Sequence, residues 1–235
     1  MKFTLRARLV SEFLGTAFLV AAVVGSGIMA ERLSGGNVGL ALLANTMATG
    51  AALVALIFTF GPISGAHLNP VVSLADALEG GLSWRETIAY ISAQVGGGLA
   101  GTLTAHAMFG LPLISLSRHA RSGPAQIFSE FVATFGLLSV IWGCSRSRPA
   151  IVPFAVASYI SAAYWFTAST SFANPAVTIA RSLTDTFAGI RLTDVLPFVI
   201  SQLVGGLAAT LVFRRLVPNL PSSAANVVLP HSYEE

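Results

Sequence analysis

The most constraining feature of this 235-residue chain is that three short patterns occur twice, in the same order. The recurring patterns are Ser-Glu-Phe at 11–13 and 129–131, Asn-Pro at 69–70 and 174–175, and Gln before a Gly-rich run at 94–103 and 202–211. Such self-similarity indicates two copies of one structural unit. The copies are predicted at about 5–110 and 124–217, forming one domain over 1–217, with a C-terminal tail over 218–235.

The composition indicates that this domain lies in a membrane. Hydrophobic residues make up 54% of the chain and charged residues only 10%, whereas soluble domains carry about 25% charged residues. A transmembrane helix needs about 20 mostly apolar residues. Six segments meet this requirement: 9–30, 38–60, 87–109, 125–144, 150–170 and 195–213. The sequence therefore predicts an all-α membrane protein with six transmembrane helices.

Two further apolar segments are too short to cross a membrane. They cover 69–78 and 174–183, about 15 Å of helix each, which is half of the hydrocarbon layer. Gly-, Ser- and Ala-rich stretches at 61–68 and 168–173 precede them, as is typical of re-entrant loops. Three spans separate equivalent points of the two copies, so the second copy is inverted relative to the first. The two half-helices are therefore predicted to enter from opposite faces and meet near the midplane.

Each Asn-Pro pair predicts the start of a half-helix. Asn is a favoured N-cap residue, and Pro suits the first helical position because its missing N–H is not needed there. Each helix N-terminus carries roughly half a positive charge, and the side-chain amides of Asn69 and Asn174 are available as hydrogen-bond donors. Two such ends facing each other favour a neutral polar solute and oppose cations and protons.

These motifs resemble those of the aquaporin and aquaglyceroporin channels over about residues 5–217. The segment 64–71 is similar to the first Asn-Pro-Ala box of that family, with Val71 in place of Ala, and 174–176 matches the second box. The resemblance implies the aquaporin fold, a homotetramer in membrane lipid with one pore per subunit, and passage of small neutral solutes. It also implies a central pore constriction lined by the residues of both boxes: Asn69, Pro70, Val71, Asn174, Pro175 and Ala176.

The selectivity filter implied by the resemblance departs from the usual pattern of the family. The family usually has Arg three residues after the second Asn, where this chain has Val177. Spacing places Thr49, Ala162 and Ser171 at the other three filter positions. All four residues are small, so the filter is predicted to be wide and uncharged. This combination resembles a bacterial aquaglyceroporin branch associated with arsenic resistance, which implies glycerol and other polyols, water, and metalloids such as arsenite or methylated arsenicals as solutes.

A few polar residues near the predicted pore each have two interpretations. Glu12 and Glu130 either relay protons or, as the resemblance favours, hold the re-entrant loops by accepting hydrogen bonds. Arg181 either supplies a displaced positive charge in the outer vestibule or, in the interpretation that spacing favours, extends to the membrane interface or pairs with Asp185. His67 either lines the inner vestibule, as its counterpart does in the family, or is structural.

Other classes of protein fit the sequence less well. An ion-coupled secondary transporter also has inverted repeats, and a water-selective aquaporin is a further alternative. An enzyme is not expected, since His106 stands alone in its span and the sequence shows no His/Cys/Asp cluster. A cofactor is not expected either, the single cysteine Cys144 excludes a Cys-based metal cluster, and a net charge of only +3 does not favour a nucleic acid partner. Eight of the 13 Lys and Arg residues lie on one side if the amino terminus is inside. Both termini are therefore predicted to be cytoplasmic, in a bacterial inner membrane.

Overall fold

The computed structural model describes residues 3–216, apart from the side chains of Arg146 and Ser147. All regular elements in this range are helical: α1 (Leu5–Leu33), α2 (Val38–Ser64), α3 (Pro70–Leu78), α4 (Trp84–Met108), α5 (Pro124–Ser147), a 3₁₀ turn (Pro149–Ile151), α6 (Val152–Phe166), α7 (Pro175–Arg181) and α8 (Leu192–Leu216). The predicted tail over 218–235 lies outside the described residues. The all-α prediction, with six long helices and two half-helices, is confirmed.

The helix starts follow from local sequence. The Asn37 side chain accepts from the Leu40 N–H at the start of α2. Ser83 and Glu86 form a capping box at the start of α4, in which each side chain satisfies a backbone N–H that the helix leaves free. Both half-helices start at Pro and are capped by the preceding Asn, as the sequence predicts.

Within the described residues, five helices are long and apolar enough to cross a membrane by length and composition. They are α1, α2, α5, α6 together with its preceding turn, and α8. The sixth predicted span, α4, has 25 residues but a more polar composition. Its polar residues Gln94, Thr102 and His106 are buried, where they bond to other helices and loops. A hydropathy criterion therefore misses α4 as a span, because the polar side chains of α4 contact other parts of the protein.

The two copies pack in the same way. In the first copy α1 packs against α2 and α4, and in the second α5 packs against α6 and α8, while α2 and α6 join the copies. Each half-helix contacts both α4 of the first copy and α8 of the second, and the two half-helices contact each other. Small residues allow the closest approaches. A Cβ atom on Gly97 or Gly101 would collide with the α1 backbone, and one on Gly205 with the α5 backbone.

Candidate functional site

The candidate site lies where the two half-helices meet. The Asn69 Nδ2 donates to the Ala173 carbonyl at 2.8 Å, and the Asn174 Nδ2 donates to the Leu68 carbonyl at 2.8 Å. Each amide thus bonds the loop of the opposite copy. The Oδ1 atom of each Asn also accepts from the first free N–H of its own half-helix, at Val71 and Ala176. One amide side chain per copy therefore caps its helix and fixes the two loops to each other, and a second hydrogen on each Nδ2 is left to donate.

Buried carboxylates hold the re-entrant loops in both copies. Glu12 accepts from the backbone N–H groups of His67 and Leu68, and Glu130 accepts from those of Phe172 and Ala173, all at 2.7–3.0 Å. Both carboxylates are fully buried. Gln94 and Gln202 complete the arrangement, donating to Glu12 and Glu130 at 2.7 and 2.6 Å. These contacts match the loop-holding interpretation of the two Glu residues.

The loops need this support because their backbones are strained. Among the residues that the structure describes, five non-Gly residues adopt positive φ angles, and these lie in the two re-entrant loops: Ala66, Leu68, Thr170, Ser171 and Ala173. A positive φ at a non-Gly residue costs of order 1–3 kcal/mol and persists only where surrounding contacts determine it. The carboxylates of α1 and α5 supply such contacts, so the loop geometry depends on residues distant in sequence.

A cavity of about 70 Å³ runs past both Asn residues. Its polar wall comes mainly from the re-entrant loops and includes His67, Asn69, Ser171, Asn174 and Arg181. The long helices contribute a mostly apolar set of lining residues: Leu19, Val23, Leu53, Ile57, Leu137, Ile141, Val156 and Ile160. A lining that combines hydrogen-bond donors with hydrocarbon suits a small solute that carries polar and apolar atoms.

The part of the cavity wall next to α7 is here called the α7 mouth. Thr49, Tyr164, Ser171, Val177 and Arg181 line it. Tyr164 donates to the Thr49 Oγ1 at 3.3 Å and so joins α6 to α2. The predicted filter residues Thr49, Ser171 and Val177 therefore lie around one cavity.

Comparisons with known proteins agree with this geometry. The model of the family described as Major intrinsic protein matches residues 1–150 and 147–234 of the chain. The chain belongs to the major intrinsic protein family. It is 55% identical over 216 residues to the aquaglyceroporin AqpS of Rhizobium meliloti, covering 92% of each chain. It is 32% identical over 171 residues to a glycerol uptake facilitator protein of Streptococcus pneumoniae, covering 65% of this chain and 71% of that one.

A solved structure supports the fold. The aquaglyceroporin from Plasmodium falciparum matches with a TM-score of 0.67 at 19% identity, covering 92% of this chain and 99% of that chain. The arrangement of six long helices and two half-helices is therefore that of a major intrinsic protein. Members of this family are channels and not enzymes. Among the described residues, no group of three or more His, Cys, Asp or Glu side chains is arranged to hold a metal ion.

The structure corrects the favoured interpretation of Arg181 in this major intrinsic protein. Arg181 is 2% exposed and lines the cavity, with its Nε donating to the Ala188 carbonyl and its guanidinium carbon 3.4 Å from the centre of the Phe172 ring. The i,i+4 argument fails because α7 ends at Arg181, so Asp185 is not on the same helix. Asp185 pairs with Arg118 at 2.8 Å instead, and the Arg118 backbone N–H and guanidinium hold the pKa of Asp185 below its usual range.

The prediction that Ala162 belongs to the filter is wrong. Ala162 is exposed on the outer side of α6, whereas Ile160 and Tyr164 line the cavity. Successive residues of an α-helix are about 100° apart, so a residue two positions from a lining residue lies on a different face. Sequence spacing missed Tyr164, although a hydroxyl-bearing aromatic residue inside an apolar span is a signal for it.

The prediction that both Asn-Pro boxes line the pore throughout is too broad. Of the six box residues, Asn69 and Asn174 line the cavity. Pro70, Val71, Pro175 and Ala176 are buried, because the first turn of each half-helix packs against the long helices. The Val71 side chain fills the space that a Cβ atom on Gly206 would occupy. The replacement of Ala by Val in the first box is therefore accommodated by a Gly in α8.

His67 lies at the other end of the cavity, where α3 runs away from the meeting point. It lines the cavity wall, and its Nδ1 lies 3.1 Å from the Ser73 Oγ. Its Nε2 lies 3.9 Å from the Asp76 carboxylate, which is itself buried. The side chain is thus both a lining residue and a member of a polar cluster at the α3 end.

The contact between Val71 and Gly206 gives a stability prediction. Gly206→Ala should lower the midpoint of thermal unfolding in detergent by about 5 °C, because overpacking costs about 1–3 kcal/mol. Val71→Ala in the same chain should restore most of this loss. Gly98→Ala is the matched control, since its Cβ would meet Ala176 and Ala180 instead and Val71→Ala should not rescue it. Additive effects of Gly206→Ala and Val71→Ala would contradict the assignment.

Proposed function

We propose that the protein is a passive membrane channel for water, glycerol and other small uncharged hydroxylated solutes, including arsenite and methylated arsenicals. The observation that carries the proposal is the α7 mouth. Val177 replaces the Arg that the family usually has there, and Thr49 and Ser171 are also small residues of the same cavity wall. A wide constriction without a charge at this position favours bulky neutral solutes over strict selection of water.

The polar wall supports passage of hydroxylated solutes. Asn69 and Asn174 are fixed by hydrogen bonds to the opposite loops. Their side-chain amides therefore keep one orientation and do not have to rotate to bond a passing solute. Neutral arsenite, As(OH)₃, presents hydroxyl groups in a compact molecule as glycerol does. The relatives named as an aquaglyceroporin and a glycerol uptake facilitator are consistent with solutes of this kind.

The proposal extends to assembly and orientation. Many large apolar side chains are exposed on the long helices, which suits contact with lipid and with other subunits of a homotetramer. We propose both termini on the cytoplasmic side of a bacterial inner membrane, as the distribution of Lys and Arg favours. In this orientation the α7 mouth is the outer mouth of the pore and His67 lies towards the cytoplasm.

Flux through purified protein in liposomes tests the channel directly. Glycerol should equilibrate down its own gradient with no ion or proton gradient present, at a rate proportional to the glycerol concentration. Empty liposomes are the control. Saturable glycerol uptake that requires an ion gradient would contradict the channel and favour an ion-coupled transporter.

Replacing Asn174 with Asp should weaken the exclusion of cations. The carboxylate keeps an acceptor for the Ala176 N–H but loses the donor to the Leu68 carbonyl, and it adds negative charge where two helix N-termini oppose cations. A K⁺-sensitive dye inside liposomes should report a larger leak than in the wild type. A well-folded variant with wild-type water flux and no added leak would count against this pore assignment.

A further inference from the structure

Arg181 is a buried cation in a position that packing alone does not explain. It is 2% exposed, and no ion pair to a carboxylate involves it among the described residues. The one side-chain hydrogen bond of Arg181 within that part of the chain runs from Nε to the Ala188 carbonyl. Burying a charge without an opposite charge is costly. This cost indicates that the part of the guanidinium facing the cavity has a function there.

Phe172 and the Ala188 carbonyl orient this guanidinium. The guanidinium carbon lies 3.4 Å from the centre of the Phe172 ring, a stacking arrangement available to Arg but not to Lys. The Phe172 backbone N–H is in turn held by Glu130 at 2.9 Å. Arg181 therefore has a fixed ring on one side and a fixed carbonyl at Nε, which leaves the terminal N–H groups as donors.

Ser171 provides a second, independent sign of a ligand. Its side chain lines the same cavity and is 2% exposed, yet its Oγ has no hydrogen-bond partner among the described residues. Buried hydroxyls in folded proteins normally have a partner. The unpaired Oγ and the guanidinium share one cavity wall, so a solute that carries several oxygen atoms is able to meet both.

We propose that Arg181 and Ser171 form a donor site for small uncharged hydroxylated solutes at the α7 mouth, one helical turn beyond Val177. This site rests on the proposed channel function and deepens it. Four residues of α-helix correspond to about 6 Å along the axis, so the charge lies at a different level from the constriction. Val177 then limits the size of the solute, while Arg181 bonds its oxygen atoms and repels cations.

Four variants in liposomes test the site, with water, glycerol and K⁺ flux measured on each. Arg181→Leu should lower the ratio of glycerol to water permeability about tenfold, in line with the loss of hydrogen bonds from a charged donor, and raise the K⁺ leak several-fold. Arg181→Lys should lower the same ratio but keep the K⁺ leak low, because it retains the charge without the planar donors. Ser171→Ala should lower the ratio about twofold and leave the K⁺ leak unchanged. Arg118→Leu is the control, since Arg118 is an exposed arginine outside the cavity.

The outcomes separate the site from the channel. A folded Arg181→Leu protein with the wild-type glycerol-to-water ratio and wild-type K⁺ leak would overturn the site while leaving the channel intact. If Arg181→Leu does not fold, wild-type ratios in both Arg181→Lys and Ser171→Ala would overturn the site. A parallel fall in water and glycerol flux would also overturn it, because a purely structural role predicts that result. A wild-type protein that passes neither water nor glycerol would overturn the channel itself.

Discussion

Val177→Arg should reduce the glycerol permeability of the reconstituted protein by tenfold or more, a barrier increase of about 1.4 kcal/mol. The physical reason is both steric and electrostatic. A guanidinium would enter the α7 mouth, where Thr49 and Ser171 also line the wall. It would lie one turn from Arg181, and like charges at this spacing repel. Water is smaller and should be affected much less, so stopped-flow measurement of both permeabilities should show a large fall in their ratio.

Val177→Thr is the matched control for this prediction. Thr has nearly the same shape as Val and no charge, so the ratio of glycerol to water permeability should stay close to that of the wild type. Tenfold loss in the Arg variant together with little change in the Thr variant would support Val177 as the residue that sets the size limit. Unchanged glycerol flux in a folded Val177→Arg protein would remove Val177 from the filter.

Glu130→Ala should destabilise the protein by about 4 kcal/mol, because it leaves the buried N–H groups of Phe172 and Ala173 without acceptors at about 1–3 kcal/mol each and leaves the Gln202 amide without its 2.6 Å partner. The midpoint of thermal unfolding in detergent should fall by about 10 °C. Glu12→Ala should show a similar loss, since Glu12 makes the equivalent contacts in the first copy.

Gln126→Ala is the control for the loop-holding role. Gln126 donates a single hydrogen bond to the Ala168 carbonyl in the same loop, at an exposed site, so its loss should shift the unfolding midpoint by no more than about 2 °C. The alternative role of Glu130 in a proton relay predicts a different result. A Glu130→Ala protein that is as stable as the wild type but conducts differently would contradict the loop-holding role.

The long helices and the half-helices were predictable because their signals are local. Apolar runs of sufficient length predict spans, and Asn followed by Pro predicts the start of a half-helix at Asn69 and Asn174. The recurrence of the same patterns predicted the inverted arrangement, since the number of intervening spans fixes the orientation of the second copy. The position of α4 was also predicted from its apolar segment, although α4 is more polar than the five helices that meet a stricter hydropathy criterion.

The positions that sequence spacing misplaced depend on where an element ends or which face it presents. α7 ends at Arg181, and residue spacing does not show this end point. Asp185 therefore lies beyond the helix and pairs with Arg118, while Arg181 lines the cavity. On α6, Ala162 is exposed, whereas Tyr164, only two positions later, lines the cavity. The Val71 side chain meets Gly206 across 135 positions of sequence, a contact that only the packed fold reveals.

The size limit of the wild-type pore decides whether the α7 mouth admits solutes larger than water. Swelling rates of liposomes containing the purified protein should be compared for water, glycerol and a four-carbon polyol, against empty liposomes of the same lipid. A wide mouth with Val177 in place of Arg predicts that all three solutes permeate well above the empty-liposome rate, with glycerol ahead of the larger polyol. Water permeation alone, with glycerol at the rate of empty liposomes, would contradict it.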